Sequence, residues 1–492
     1  MNSQSIPQTR RWRAFAVLAV SFFMTIVDLT IVNVALPTIG RHLHFSESNL
    51  QWVVTAYTIT FGGFLLLGGR AADLLGRRRI LMLGLAVFTA ASLCAGLATS
   101  EGFLIAMRGV QGLGAAVVLP AALSIVMNMF AEGAERNKAL GLWGGIGAAG
   151  ATIGLITGGL LTRYAGWQYI FFLNVPIGAA ALLLAPRIVP ESRLDGARRR
   201  FDPLGAVTVT GALLLLVYAI SKAPQAGWGS ARTVTLLAVS AALLLAFLVV
   251  ETRVAAPLMP LRIFRLRTVA VANAVGLLLG GSFFAFIFIG TLYMQQVLGY
   301  SALQAGVSWL AASLTSVALA GLSQMLVTRI SAGPVMAAGM ALIGGGILWA
   351  TQVPVQGHFW SALAGPFFVA GAGTAFAFVP ISIAGLAGVA GREAGLASGL
   401  LNTSQQLGGA IGVAIASTVA ATRLKTLLGE GQTANAALTG GFHWALWVCG
   451  AIALLALPVT ATLAGRKTAP ARLEPAVLAP DTGRREPSRT SG

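Results

Sequence analysis

From Thr268 to Thr328 the chain reads TVAVANAVGLLLGGSFFAFIFIGTLYMQQVLGYSALQAGVSWLAASLTSVALAGLSQMLVT, with no Asp, Glu, Lys or Arg. The run from Ile330 to Gly391, beyond Arg329, is equally free of charge. A soluble fold has too little interior for so long an apolar stretch, whereas a hydrocarbon layer about 30 Å thick takes roughly 20 such residues per helix. Only membrane spans and tight turns read this way. The whole chain agrees: of its 492 residues 56% are hydrophobic and 10% charged, at a mean hydropathy of +0.81, where soluble domains carry about 25% charge.

Working outward from that stretch, the apolar runs predict an all-α polytopic membrane protein with 14 transmembrane helices. They fall at residues 14–36, 50–69, 80–99, 103–130, 139–162, 168–189, 203–221, 233–250, 269–292, 304–328, 334–353, 359–388, 396–421 and 442–464. The first run follows Arg10, Arg11 and Arg13, but it exceeds 20 residues, holds an acid and lacks a small-residue cleavage site, so it reads as a retained span. Residues 1–13 form an amino-terminal tail, and residues 465–492, rich in Pro, Ala, Arg and Glu without periodicity, read as a disordered tail.

The net charge of +18 would suggest nucleic acid in a soluble protein; here its placement decides. Of 33 basic residues, 26 fall at the termini and the even-to-odd connections, Arg41, Arg163, Lys222, Arg232, Arg423 and Lys425 fall in the other loops, and Arg108 lies within a span. The positive-inside rule then puts both termini in the cytoplasm. The charge is a topology label, with no nucleic-acid surface expected. Cys94 and Cys449 lie in separate apolar runs, which supports neither a disulfide framework nor a cysteine metal site.

Bundles with short loops are mostly transporters, channels or membrane enzymes, and their intramembrane polar residues distinguish them. Span one, MTIVDLTIVNVALP, holds Asp28, the one acid placed within the hydrocarbon region. Burying an ionised carboxylate costs about 2.5–3.5 kcal/mol on insertion scales, so Asp28 reads as a proton carrier before it reads as structural. Arg108, in LIAMRGVQGLGAA of span four, is its candidate partner. After span two, GGRAADLLGRRRI places Gly69, Asp73, Gly76, Arg77 and Arg78 in a tight turn; topology explains the arginines but not the Asp and the two glycines. Span five repeats small residues at Gly150, Gly154 and Gly158, one face where helix backbones approach closely, and span thirteen, GLASGLLNTSQQLGGAIG, shows the same habit.

Together these segments resemble the major facilitator superfamily, and within it the fourteen-span drug:proton antiporter branch, over nearly the whole chain. Gly69, Asp73, Gly76, Arg77 and Arg78 match the family's loop signature; Arg108, Gln111, Gly112 and Gly114 match that of span four; DLTIVNVALP from Asp28 to Pro37 matches that of span one. GWQYIFFLNVPIG from Gly166, FDPLG from Phe201 and PLMPLRIF from Pro257 look like connectors of the fourteen-span branch. Gly141, Gly150, Gly154, Gly158 and Gly159 fit the antiporter signature of span five, except that Leu155 stands where a proline is usual.

The resemblance implies a major facilitator fold: six-helix bundles over residues 14–189 and 269–464, joined by a 190–268 linker with two inserted helices. It implies a monomer in the bacterial cytoplasmic (inner) membrane that exports small apolar drugs or antibiotics in exchange for protons by alternating access. No cofactor is expected, the proton gradient being the drive. Asp28 and Arg108 would couple protons, and the Asp73 loop would latch the cytoplasmic side. Candidate cavity walls are Asn33, Gln111, Trp143, Phe284 and Phe376. With no acid in the carboxyl-terminal spans, a neutral, zwitterionic or monocationic apolar substrate fits better than a dication.

Other readings share parts of this pattern. A proton-coupled metabolite symporter or uniporter would have the same architecture, with the span-one and span-five patterns against it. A membrane receptor would usually add a folded soluble domain. An enzyme would need paired acids, a histidine cluster or a nucleophile with its base; His42 and His44 read as a wet loop pair, so no catalytic residue and no metal site is expected. No GxxxxGKS/T motif supports a primary pump.

Overall fold

The computed structural model describes residues 7–45, 47–50, 52–131, 133–192, 202–254, 257–390 and 393–463. Fourteen principal helices follow one another: α1 (Gln8–His42), α2 (Trp52–Leu75), α3 (Arg77–Gly96), α4 (Glu101–Met129), α5 (Ala134–Tyr164), α6 (Tyr169–Ile188), α7 (Pro203–Ala226), α8 (Ala231–Arg253), α9 (Arg267–Gln296), α10 (Leu303–Arg329), α11 (Ala332–Gln352), α12 (Phe359–Leu386), α13 (Ala394–Gly429) and α14 (Ala434–Ala461). There is no strand among the described residues. Of these helices 13 are long and apolar enough to cross a membrane; α5, glycine-rich and 31 residues long, stands at the fifth expected span.

The expected ends err where polar residues continue a helix. α1 starts at Gln8, inside the segment read as a tail, and runs to His42. α14 starts at Ala434, eight residues before the apolar run that marked it. The expected tail at 465–492 lies outside the described residues.

Turn chemistry sets the hinge points. Between α2 and α3 a single residue, Gly76, reverses the chain at φ 108°, a conformation that favours glycine. In α4, Pro120 has no N–H to give Ala116 O. Gly68 of α2 approaches that carbonyl so closely that a methyl group there would stand 2.5 Å from it.

Buried apolar side chains gather in two large clusters and one small one. The first draws on α1–α8, the chain after α8 (Leu258, Met259, Ile263), Val269 at the start of α9, Leu386 at the end of α12 and the start of α13; the second draws on α9–α14. The third surrounds Trp167. The inserted pair is peripheral. α7 packs on α2 and α13, while α8 packs on α7 and exposes Val234, Val239, Leu245 and Val249, as a lipid-facing helix does.

The packing of α5 follows from its glycines. Methyl groups on Gly150, Gly154 and Gly158 would run into Ile26, Val27 O and Ile31 O of α1, at 2.9, 2.8 and 2.6 Å. Gly159 turns instead to Leu303 of α10. Without the usual proline α5 is one uninterrupted helix, and Leu155 fits against Gly306 of α10.

Candidate functional site

The α1–α5 seam holds the turn of α1 that carries Asp28, whose carboxylate is fully buried. Three donors from two other helices converge on it. Arg108 Nη1 of α4 donates to Oδ2 at 2.6 Å, Gln111 Nε2 donates to Oδ1 at 2.7 Å, and Asn174 Nδ2 of α6 donates to Oδ1 at 2.8 Å. Arg108 and Gln111 are three residues apart on α4, so one helix face presents both. Gln111 also accepts from Arg108 at 2.7 Å and donates to Ser92 Oγ of α3 at 2.7 Å, which fixes the orientation of its amide.

Arg108 has partners besides the acid. Its Nε donates to Val53 O of α2 at 2.9 Å, and its guanidinium lies 4.3 Å from the Tyr57 ring centroid. One nitrogen, Nη2, is buried without a hydrogen-bond partner among the described residues. An ion pair this deeply buried needs hydrogen bonds beyond the pair itself, and Asp28 and Arg108 each have them. Besides the acid, the arginine has Gln111, Val53 O and the aromatic face of Tyr57 as partners.

Asp73 occupies a second buried position, at the end of α2. Its Oδ1 accepts from Arg77 Nη2 at 2.8 Å and from the Gly395 amide at 3.0 Å, and its Oδ2 accepts from the Leu396 amide at 2.9 Å. These amides belong to the first turn of α13, whose own N-cap residue, Glu393, makes no side-chain cap. Asp73 therefore caps α13 from another helix and sets a negative charge at its positive end. Gly69 brings the backbones together, abutting Gly395 O.

Around this contact Arg77 donates to Ser192 Oγ at 3.2 Å, and the Arg78 amide donates to Glu191 Oε1 at 3.2 Å. Arg78 Nη1 also donates to the carbonyls of Pro186 and Val189. The loop between α2 and α3 thus ties together α2, α13 and the chain after α6.

The five expected cavity residues lie on five different helices, α1, α4, α5, α9 and α12. Gln111 belongs to the buried Asp28 cluster. Trp143 is buried and stacks on Phe22 at 4.3 Å between ring centroids. Asn33 is exposed on α1, its amide donating to Leu29 O and Thr30 O. Phe284 covers Gly409 in the second half, while Phe376, half-buried, lies where its backbone meets Gly339. Asn174, Ser92 and Tyr57 escaped the sequence reading. For Gln111 a signal existed in its i+3 spacing from Arg108; for Asn174 there was only the connector motif.

With the geometry in view, comparisons can be set beside it. Residues 18–413 match the family model described as Major Facilitator Superfamily. The chain is 38% identical over 451 residues to the cephamycin export protein CmcT of Amycolatopsis lactamdurans, covering 91% of each. It is 37% identical over 467 residues to the puromycin resistance protein pur8 of Streptomyces alboniger, covering 93% of this chain and 91% of the relative. The solved structure of the human organic anion transporter MFSD10 matches 92% of this chain and 100% of its own with a TM-score of 0.65 at 16% identity, a likeness of fold.

Proposed function

Because the chain belongs to the Major Facilitator Superfamily, we propose that it is a secondary active transporter that exports small apolar drugs or antibiotics in exchange for protons. The relatives named for antibiotic export and resistance support the substrate class and the direction. The observation that carries proton exchange is the Asp28 cluster, in which a buried acid meets an arginine that has other partners to fall back on.

In this reading the two large apolar clusters are two bundles that rock about the seams α2–α13 and α5–α10. Proton binding at Asp28 removes a buried negative charge and frees Arg108 from its shortest contact, which changes how α1, α4 and α6 pack. The Asp73 contact with α13 closes one face. By the distribution of basic residues this is the cytoplasmic face, both termini lie there, and the structure is the outward-facing state of a bacterial inner-membrane protein.

The test is Asp28→Asn in proteoliposomes loaded with a fluorescent apolar compound under an imposed pH gradient. Loss of gradient-driven movement, with binding retained, is expected. Undiminished coupled transport would overturn the assignment.

A further inference from the structure

Four tryptophans of the second half stand exposed toward one end of their helices: Trp349 and Trp360 where α11 gives way to α12, and Trp444 and Trp447 in α14. α13 starts at the Asp73 contact and ends at Gly429, so these residues lie at the face opposite that contact. Exposed tryptophans gather where a bilayer passes from hydrocarbon to headgroups. The apolar run of α14 begins at Phe442, at the same level.

A cavity of about 490 Å³ opens beside two of these rings, lined by Thr351 and Gln352 at the end of α11 and by His443, Trp444 and Trp447 of α14. That volume is within the range of small-ligand sites. The lining directs its protons inward. His443 Nε2 lies 2.7 Å from Val353 O, and a carbonyl only accepts, so Nε2 carries the ring proton and Nδ1 of the neutral imidazole is an acceptor. Thr351 Oγ1 donates to Leu348 O at 2.7 Å and accepts from Gln352 Nε2 at 3.3 Å, which leaves the Gln352 carbonyl oxygen as an acceptor. The faces of the two indoles are electron-rich. Among the described residues no charged side chain lines the cavity. Acceptors and aromatic faces without a cation of their own suit a ligand that brings one, with N–H groups to donate.

Arg423 of α13 supplies the complement for a negative group. Its guanidinium carbon lies 5.5 Å from the centroid of the Trp444 ring. Among the described residues its buried Nε has no hydrogen-bond partner, and the side chain is in no ion pair. From the cavity an exposed stripe, Trp447, Ala451 and Leu455, runs along α14 at four-residue spacing toward the membrane centre.

We infer that this groove binds the headgroup of an ethanolamine phospholipid. The ammonium sits against Trp444 and Trp447 and donates to Gln352 and His443. The phosphate lies toward Arg423, and the acyl chains follow the stripe past Ala451 and Leu455 into the hydrocarbon layer. Bound there, the lipid ties the end of α11 to α14 and α13, so the helix that meets Asp73 at one face is braced by lipid at the other.

Native mass spectrometry of the full-length protein in detergent, with phosphatidylethanolamine or phosphatidylglycerol added at equal concentration, tests the site. The expected result is a retained phosphatidylethanolamine, held about tenfold more tightly than phosphatidylglycerol, the scale of one cation–π contact. Trp444→Leu and Arg423→Gln should each weaken that retention, whereas Trp360→Leu, at an exposed ring outside the groove, should not. Should Trp444→Leu fail to fold, Gln352→Lys sets a cation in the groove at an exposed position and is expected to expel the lipid. Equal retention of the two lipids by the wild type, retention unchanged in Trp444→Leu or Gln352→Lys, or an equal loss in Trp360→Leu overturns the site. Phosphoethanolamine without acyl chains is expected not to displace the lipid; displacement would assign the groove to a soluble zwitterion and overturn the proposal.

Discussion

Asn174 Nδ2 lies 2.8 Å from Asp28 Oδ1, so an amide at the start of α6 helps hold the charge of an acid 146 residues earlier in the chain. This donor favours the ionised acid.

Replacing Asn174 by Leu removes it. A hydrogen bond to a charged group contributes about 1.5–3 kcal/mol. Asn174→Leu should therefore lower Tm in detergent, and Asn174→Gln, which keeps a donor, should lower it less; equal Tm values for wild type and Asn174→Leu would show that the contact does not support the fold.

Arg108→Ala leaves the Asp28 carboxylate buried with only two amides. Breaking a buried pair in this way costs about 3–5 kcal/mol. Thermal unfolding in detergent should show a large fall in Tm that is mostly recovered when Asp28→Asn is added, because the double variant has no buried charge to strand. Equal Tm values for the single and double variants would mean that the ion pair is not what the stability depends on.

Asp73→Asn turns one of the two cap acceptors into a donor facing an amide, and it removes the charge paired with Arg77. Two charge-assisted contacts are lost or weakened, each about 1.5–3 kcal/mol, so the population in which α2 and α13 touch should fall at least tenfold. Distance measurement between spin labels near the ends of α2 and α13 reads this directly. Asp73→Glu should not restore the contact, since the longer side chain has no room beside Gly69 and Gly395.

Gly154→Val sets a branched side chain against Thr30 and Val27 O of α1, where the opposing atoms include backbone. Overpacking of this kind costs about 1–3 kcal/mol and here separates the helix that carries Asp28 from α5. Gly159→Ala meets Leu303 Cδ1 at 3.0 Å, the far end of a flexible side chain, and should be milder. Folded yield by fluorescence-detected size exclusion should rank wild type, Gly159→Ala and Gly154→Val in that order.

What could be read from the sequence was what repeats along a single helix. The charge-free run from Thr268 to Thr328 announced α9 and α10, and the four-residue spacing of Gly150, Gly154 and Gly158 announced a face that packs closely. Relations across helices left little trace. The span-four pattern marks Gln111, but not its contacts with Asp28 of α1 and Ser92 of α3. Helix ends also escaped, as at Gln8 and Ala434, because hydropathy reports lipid contact and not the hydrogen bonds that continue a helix into water.

The seam between α5 and α10 has a further meaning for motion. Gly141 meets Gln324, Gly145 meets Ala320 and Gly306 meets Leu155, so at each level one of the two helices offers bare backbone. Sliding along such a seam requires few side chains to change rotamer first, which keeps friction low. Leu155 against Gly306 is a protrusion in a notch, and a notch on a smooth track acts as a detent. In a chain that lacks the usual proline bend in α5, this stop can supply the discrete resting position that a kink would otherwise give.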